Sequence, residues 1–176
     1  MSTIAPVAEE HASADVKPVY ENMKERLGKM PNFFAMLAHK PEVLKTFLPL
    51  YQAITGPGAV EQKYKEFAYL KTSLVNGCEY CNKAHSASAK RIGITGEQIQ
   101  ALAFYERSSL FNEQEKAVIH FADQVTRSAT TVRDSDLAAM HKYFSEEQIV
   151  ELVLTISMAN FTNRVNNALL SLPDLG

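Results

Sequence analysis

A chain of 176 residues with 46% apolar and 22% charged residues has an ordinary globular composition, which excludes disorder and suits one domain with a packed core. A formal net charge of −2 argues against a general nucleic-acid binder, which normally carries a basic excess. No apolar run approaches the ~18 residues that cross a bilayer, and Met1 to Asp15 lack a basic region followed by an apolar stretch, so no membrane association and a cytoplasmic location are expected.

Residues 1–14 read as an irregular arm, and 15–176 as a single helical domain. Val19, Met23 and Leu27 recur every four residues and predict a first helix that Gly28 stops. Pro31 opens a short helix carrying Phe33, Phe34 and Leu37. Pro41 begins the next, because proline fits a first helical turn; its predicted buried face is Val43, Leu44, Phe47, Leu48, Tyr51 and Ile54. Gly56-Pro57-Gly58 breaks the chain. A fourth helix is predicted from about Glu61 to Asn76, with Tyr64, Phe67, Ala68, Lys71, Leu74 and Val75 at helical spacing, and Gly77 ends it.

The following helix starts at Cys78 or Glu79 and stops near Gly93. Thr95 with Gln98, Asn112 with Glu115 and Ser145 with Gln148 each place a capping side chain three residues before Glu or Gln, which marks a helix start. Asp134 is expected to cap a shorter helix holding Leu137 and Met140. The last helix, about Glu146 to Leu170, buries Ile149, Leu152, Val153 and Ile156. Its second half crowds Asn160, Asn163, Asn166 and Asn167 with Arg164, although asparagine is a mediocre helix former; contacts to other segments or to a second subunit explain this, and Asn163 is a candidate pocket residue. No period-two alternation occurs, so an all-α fold of about eight or nine helices with no significant sheet is predicted.

Two cysteines do not make a disulfide framework, and a bridge between Cys78 and Cys81 closes too small a loop to restrain the unfolded chain. Such a pair is more often catalytic or metal-binding. Cys78 stands at a helix start, where unpaired N–H groups and the helix dipole favour a thiolate. Cys81 follows three residues later on the same face, and His85, four residues further, stacks over it on the helix surface. A histidine so placed can take the thiol proton. Glu66 on the preceding helix can fold back across Gly77 and orient that imidazole, with Glu61, Glu79 and Glu97 as rival carboxylates.

Other chemistries fit less well. A c-type haem site needs histidine directly after the second cysteine, and Asn82 stands there. Zinc on Cys78, Cys81, His85 and Glu66 would draw three ligands from one helix, whereas structural zinc sites join separated pairs; no metal is expected. His11, His120 and His141 lack a partner motif. His39 closes a short helix, where a cation suits the dipole, or else points into a pocket.

Glu66, eleven intervening residues, Cys78-x-x-Cys81 and x-x-x-His85 together resemble the active-site signature of the AhpD-like alkylhydroperoxidases, within the carboxymuconolactone decarboxylase superfamily. Pro31-Asn32-Phe33-Phe34, Leu37 to Pro41, Leu110 to Glu115 and Asn163 to Asn167 resemble that family's flanking segments, and the similarity runs over roughly residues 16–170, nearest the peroxidase-related branch. The resemblance implies an AhpD-like helical fold, a homo-oligomer such as a trimer or hexamer, and a cysteine peroxidase or disulfide reductase without metal, haem or other cofactor. It also selects Glu66 among the carboxylates. Some relatives carry a second histidine between the cysteines where this chain has Tyr80, which is left as a possible pocket residue.

The expected cycle has one cysteine attack a peroxide and the other resolve the sulfenic acid, with an external dithiol or redox partner protein restoring the thiols; the helix start favours Cys78 as the attacking thiolate and the histidine four residues on favours Cys81, which is preferred. The alternatives are a carboxymuconolactone decarboxylase-like lyase, which has no need of a redox pair, and a non-catalytic redox-sensing oligomer.

Overall fold

The computed structural model describes residues 4–174; residues 1–3 of the expected arm and the last two residues of the expected domain lie outside it. Nine α-helices and no strand occur among the described residues: α1 (Lys17–Leu27), α2 (Asn32–Leu37), α3 (Pro41–Thr55), α4 (Gln62–Val75), α5 (Glu79–Arg91), α6 (Gly96–Ala101), α7 (Glu113–Ser128), α8 (Asp134–His141) and α9 (Glu146–Ala168). Short 3-10 turns sit at Glu9–His11, Leu102–Arg107 and Ala129–Thr131.

The organising element is α4. Every residue from Tyr64 to Ser73 is buried, because α5, α7 and α9 pack around it. Tyr69 enters one core with α1, α2, α3 and the start of α5, Tyr64 and Ala68 a second with α7, α8 and α9, and Phe67 and Leu70 a third with α6 and α7. A helix buried all round has no solvent face for its charges, and a buried charge is costly unless paired. Each of the three charged residues in this stretch accordingly meets a counter-ion. Lys65 pairs with Glu151 of α9, Lys71 with Asp123 of α7 at 3.0 Å, and Glu66 with His85 of α5 at 2.9 Å.

The first two pairs are structural. Lys65 also donates to the carbonyls of Ile54 and Gly56, at 3.0 and 2.6 Å, holding the end of α3 on α4. Glu151 accepts from the N–H groups of Ala59 and Val60, at 2.8 and 3.1 Å, and its carboxylate occupies the space that a Cβ at Gly58 would need. The Gly56-Pro57-Gly58 break is therefore the seat of a charge as well as a turn.

Several local expectations change. The α8 N-cap is Arg133, whose N–H donates to Asp136 at 2.8 Å, and Asp134 is the first helical residue. Val43 and Leu74 are exposed, because α3 and α4 turn those positions away from their neighbours. On α1, Tyr20 and Met23 are the buried residues and Leu27 faces out. The α3 helix runs through Pro49. The arm is tied down: Val7 N–H donates to Ala35 O at 3.1 Å and Val7 O accepts from the Tyr20 hydroxyl at 2.7 Å.

The capping boxes at Thr95, Asn112 and Ser145 form with the expected Gln98, Glu115 and Gln148. The four asparagines of α9 have distinct employment. Asn163 is fully buried, donates to Ser73 Oγ at 3.1 Å and accepts from Asn76 Nδ2 at 2.9 Å, while Asn160 accepts from the same amide and Asn167 donates to Asn76 O. These three stitch α9 to the end of α4, just before the redox segment.

Candidate active site

The site begins where α4 ends. Gly77 adopts φ +63°, a left-handed conformation that other residues rarely take, and the reversal lets Cys78 N–H donate to Ser73 O at 2.9 Å. Cys78 is thereby the N-cap of α5, and its sulfur accepts the Cys81 N–H at 3.2 Å. The first turn of α5 brings the two Cα atoms to 5.4 Å, and the cysteines are joined as a disulfide, within the usual span for such a bridge. Both are buried, Cys78 completely and Cys81 with 3% of its surface exposed.

One turn along α5, His85 is held from three sides. Its Nδ1 lies 2.9 Å from Glu66 Oε2, its ring stacks on Tyr69 with centroids 3.5 Å apart, and its Nε2 faces the Tyr51 hydroxyl at 3.4 Å. The His85 and Glu66 side chains are almost enclosed, with 12% and 7% exposure. In this low-dielectric setting the carboxylate fixes the ring and offsets the positive charge that forms when Nε2 takes a proton.

Cys81 and His85 line one small cavity of about 50 Å³, room for a few water-sized groups. Its walls are Phe33 and Phe34 of α2, Tyr51 of α3, Tyr69 of α4, Tyr80 and Ala84 of α5, and Thr162 and Asn166 of α9. The Tyr80 hydroxyl accepts Phe33 N–H at 3.2 Å, and burial pushes the Tyr80 phenol well up. Tyr69 is bonded to Thr162 Oγ1.

Asn166, rather than Asn163, is the α9 asparagine at the sulfur: its Nδ2 donates to Cys81 Sγ at 3.4 Å. Three residues along a helix turn a side chain most of the way round to the same broad face, yet here that offset separates α4 from the cavity. Asn166 Oδ1 is buried with no hydrogen-bond partner among the described residues. His39 is not in the cavity either. It is exposed, beyond the end of α2, with Nε2 2.9 Å from Ala5 O, and so fastens the arm instead. Glu79, the rival carboxylate on α5, is exposed and pairs with Lys83 at 3.0 Å.

Most of the cavity wall carries no site signal in the sequence, the polar members Tyr51, Tyr69 and Asn166 included. Tyr51 reads in the sequence as part of a packing face, Tyr69 has no signal beyond its place in α4, and Asn166 is one of four asparagines on α9. Among the described residues, no group of three His, Cys, Asp or Glu side chains is placed to hold a metal ion, and no helix is long and apolar enough to cross a membrane.

Comparison with known proteins places these features in context. Residues 41–124 match the model of the carboxymuconolactone decarboxylase family, a segment that holds Glu66, both cysteines and His85. The chain is 26% identical over 130 residues to the uncharacterized protein YdfG of Bacillus subtilis (strain 168), covering 73% of this chain and 88% of that protein. In three dimensions it is similar to the alkylhydroperoxidase AhpD core of an uncharacterized peroxidase-related protein from Ralstonia eutropha JMP134, with a TM-score of 0.89 over 98% of this chain and 92% of that one at 22% identity. It is likewise similar to the apo debrominase Bmp8, with a TM-score of 0.83 over 99% and 93% of the two chains at 25% identity.

Proposed function

From the match of residues 41–124 to the carboxymuconolactone decarboxylase family we propose that the chain is a thiol peroxidase reducing small hydroperoxides through Cys78 and Cys81. The observation that carries this reading is the position of the Cys81 sulfur: it lines a small cavity, receives the Asn166 amide, and shares that cavity with a histidine backed by a buried carboxylate.

In the reduced protein His85 Nε2 takes the Cys81 proton as Glu66 holds Nδ1. The thiolate attacks the terminal peroxide oxygen; the S–O bond forms, the O–O bond breaks, and an alcohol or water leaves. Cys78, within bridging distance, displaces hydroxide from the sulfenic acid and gives the disulfide with release of water. An external dithiol or redox partner protein returns both thiols through a mixed disulfide. Cys81 is the attacking residue in this scheme because Cys78 is occupied as the cap beneath it, away from the cavity.

A second reading comes from the likeness to the debrominase. The same dithiol holds the two electrons needed to exchange a carbon–bromine bond for carbon–hydrogen, with bromide released and the disulfide formed. A cavity of about 50 Å³ suits a peroxide head better than a ring such as the 2,3,4-tribromopyrrole held by a variant of that debrominase, which favours the first reading.

The discriminating experiment gives the reduced full chain hydrogen peroxide, ethyl hydroperoxide or a bromopyrrole, with dithiothreitol as reductant, and counts thiols before and after. Peroxide consumption with loss of two titratable thiols and an intramolecular bridge is expected. Peroxide inertness beside bromide release would transfer the assignment to the second reading, and only intermolecular dimers by mass spectrometry would end the redox-pair scheme.

A further inference from the structure

Breaking the O–O bond releases a strongly basic oxygen, and the thiolate cannot supply the proton it needs. His85 holds the proton taken from Cys81, on Nε2. That nitrogen faces the Tyr51 hydroxyl at 3.4 Å, and Tyr51 is itself part of the cavity wall opposite Cys81's helix. The other two phenols of the wall have partners of their own, and Tyr69 also interacts with the Tyr51 hydroxyl. Tyr80 accepts the Phe33 N–H, and Tyr69 stacks flat on the imidazole with its hydroxyl bonded to Thr162 on α9. Phe34 and Phe47, each with ring centroid 5.7 Å from Tyr51, hold the ring so that its hydroxyl stays at the imidazole.

Resting on the peroxidase reading above, we infer that Tyr51 is a further catalytic residue: its hydroxyl protonates the departing oxygen of the peroxide, and His85 then restores that proton. The step balances. The Cys81 thiolate forms the S–O bond, its electron pair displaces RO⁻ from the O–O bond, RO⁻ takes the Tyr51 proton, and the phenolate recovers a proton from the imidazolium. Sulfur is oxidised by two electrons, the peroxide is reduced by two, and the proton delivered is the one Cys81 gave up. Burial, then the nearby Glu66 charge, pushes the Tyr51 phenol up to about 12, so it remains protonated at neutral pH and is a stronger acid than the alcohol or water it must create.

The test is Tyr51→Phe in the full-length, reduced protein, followed by stopped-flow oxidation with two small oxidants. Hydrogen peroxide expels hydroxide and needs the proton; peracetic acid expels acetate, a weak base that does not. Positioned acid catalysis is typically worth ~10²–10⁴-fold, so the hydrogen peroxide rate should fall by at least roughly tenfold. The peracetic acid rate and the iodoacetamide alkylation rate of Cys81 should stay near wild type. Parallel losses with both oxidants, or no loss, would overturn the inference. Should the Phe variant lose its helical circular dichroism, 3-fluorotyrosine at position 51 keeps the shape and hydroxyl while changing the acidity; a rate change with hydrogen peroxide alone supports the assignment, and equal changes or none reject it. Wild-type protein that reacts with neither oxidant would instead remove the peroxidase reading and this inference together.

Discussion

The Asn166 side-chain amide donates to the Cys81 sulfur across 3.4 Å, joining the last helix of the chain to the first turn of the redox helix. A hydrogen bond to a charged acceptor is worth ~1.5–3 kcal/mol, and the sulfur becomes that acceptor once the disulfide is reduced and Cys81 ionises. Asn166→Ala should therefore slow iodoacetamide alkylation of Cys81 by roughly tenfold at neutral pH. Asn163→Ala, one turn away and bonded to Ser73 and Asn76, should lower the melting temperature and leave the alkylation rate per folded molecule unchanged. Alkylation rates that ranked the two variants the other way would contradict the placement.

Glu66 and His85 form the third buried pair of α4, and theirs is the one that reaches the cavity. Glu66→Gln keeps the shape and removes the charge that supports the protonated imidazole. Base assistance of this kind is typically worth ~10²–10⁴-fold, so peroxide turnover should drop by at least roughly tenfold at pH 7. The deficit should shrink as pH approaches ~8.5, the ordinary cysteine value, where the thiol ionises unaided. Glu79→Gln, at an exposed position on α5, should match wild type throughout. A Glu66→Gln profile superimposable on wild type would remove Glu66 from the relay.

Lys65 is 2% exposed and its partner Glu151 17%. Truncating Glu151 to Ala leaves a buried cation and the Ala59 and Val60 N–H groups without their acceptor. Breaking such a pair costs ~3–5 kcal/mol, and at this chain length each kcal/mol moves the melting temperature by about 2–4 °C. Thermal denaturation should therefore show a fall of roughly 10 °C, with the residual alkylation rate of Cys81 in folded protein little changed. A shift of only a degree or two would mean that Lys65 is satisfied by Ile54 and Gly56 alone.

Val150, Leu154 and Phe161 are 58%, 46% and 45% exposed on one stripe of α9, and Leu50 of α3 is 53% exposed. Phe161 stacks on Phe47, ring centroids 5.2 Å apart, which links the stripe to the α3 surface. Exposed apolar patches of this kind mark association surfaces, so a homo-oligomer is expected. Phe33, Phe34 and Phe47, by contrast, are covered within one chain. Light scattering should return a multiple of the chain mass at micromolar concentration, and Leu154→Glu should reduce it. A monomer mass for the unaltered chain would refute the expectation.

What the sequence determined by itself was local. Cys78, Cys81 and His85 share one helix, so their spacing states their relative directions, and Gly77 and the three capping boxes mark boundaries through bonds between near neighbours. The family resemblance, more than spacing, singled out Glu66, because a contact between helices depends on how one packs against the next. Only the tertiary structure decided the rest. Periodicity tells that a helix has faces but not which neighbour each face meets; it located α4 but not its enclosure, since a helix surrounded by α5, α7 and α9 is buried on every side from Tyr64 to Ser73. The same limit separated Asn166 from Asn163, brought Tyr51 from a presumed packing face to the imidazole, and left His39 holding the arm. Those assignments follow from the angles at which α9 settles on α4 and α3 on α9, which are set by the fit of many side chains at once and are written in no short stretch of the chain.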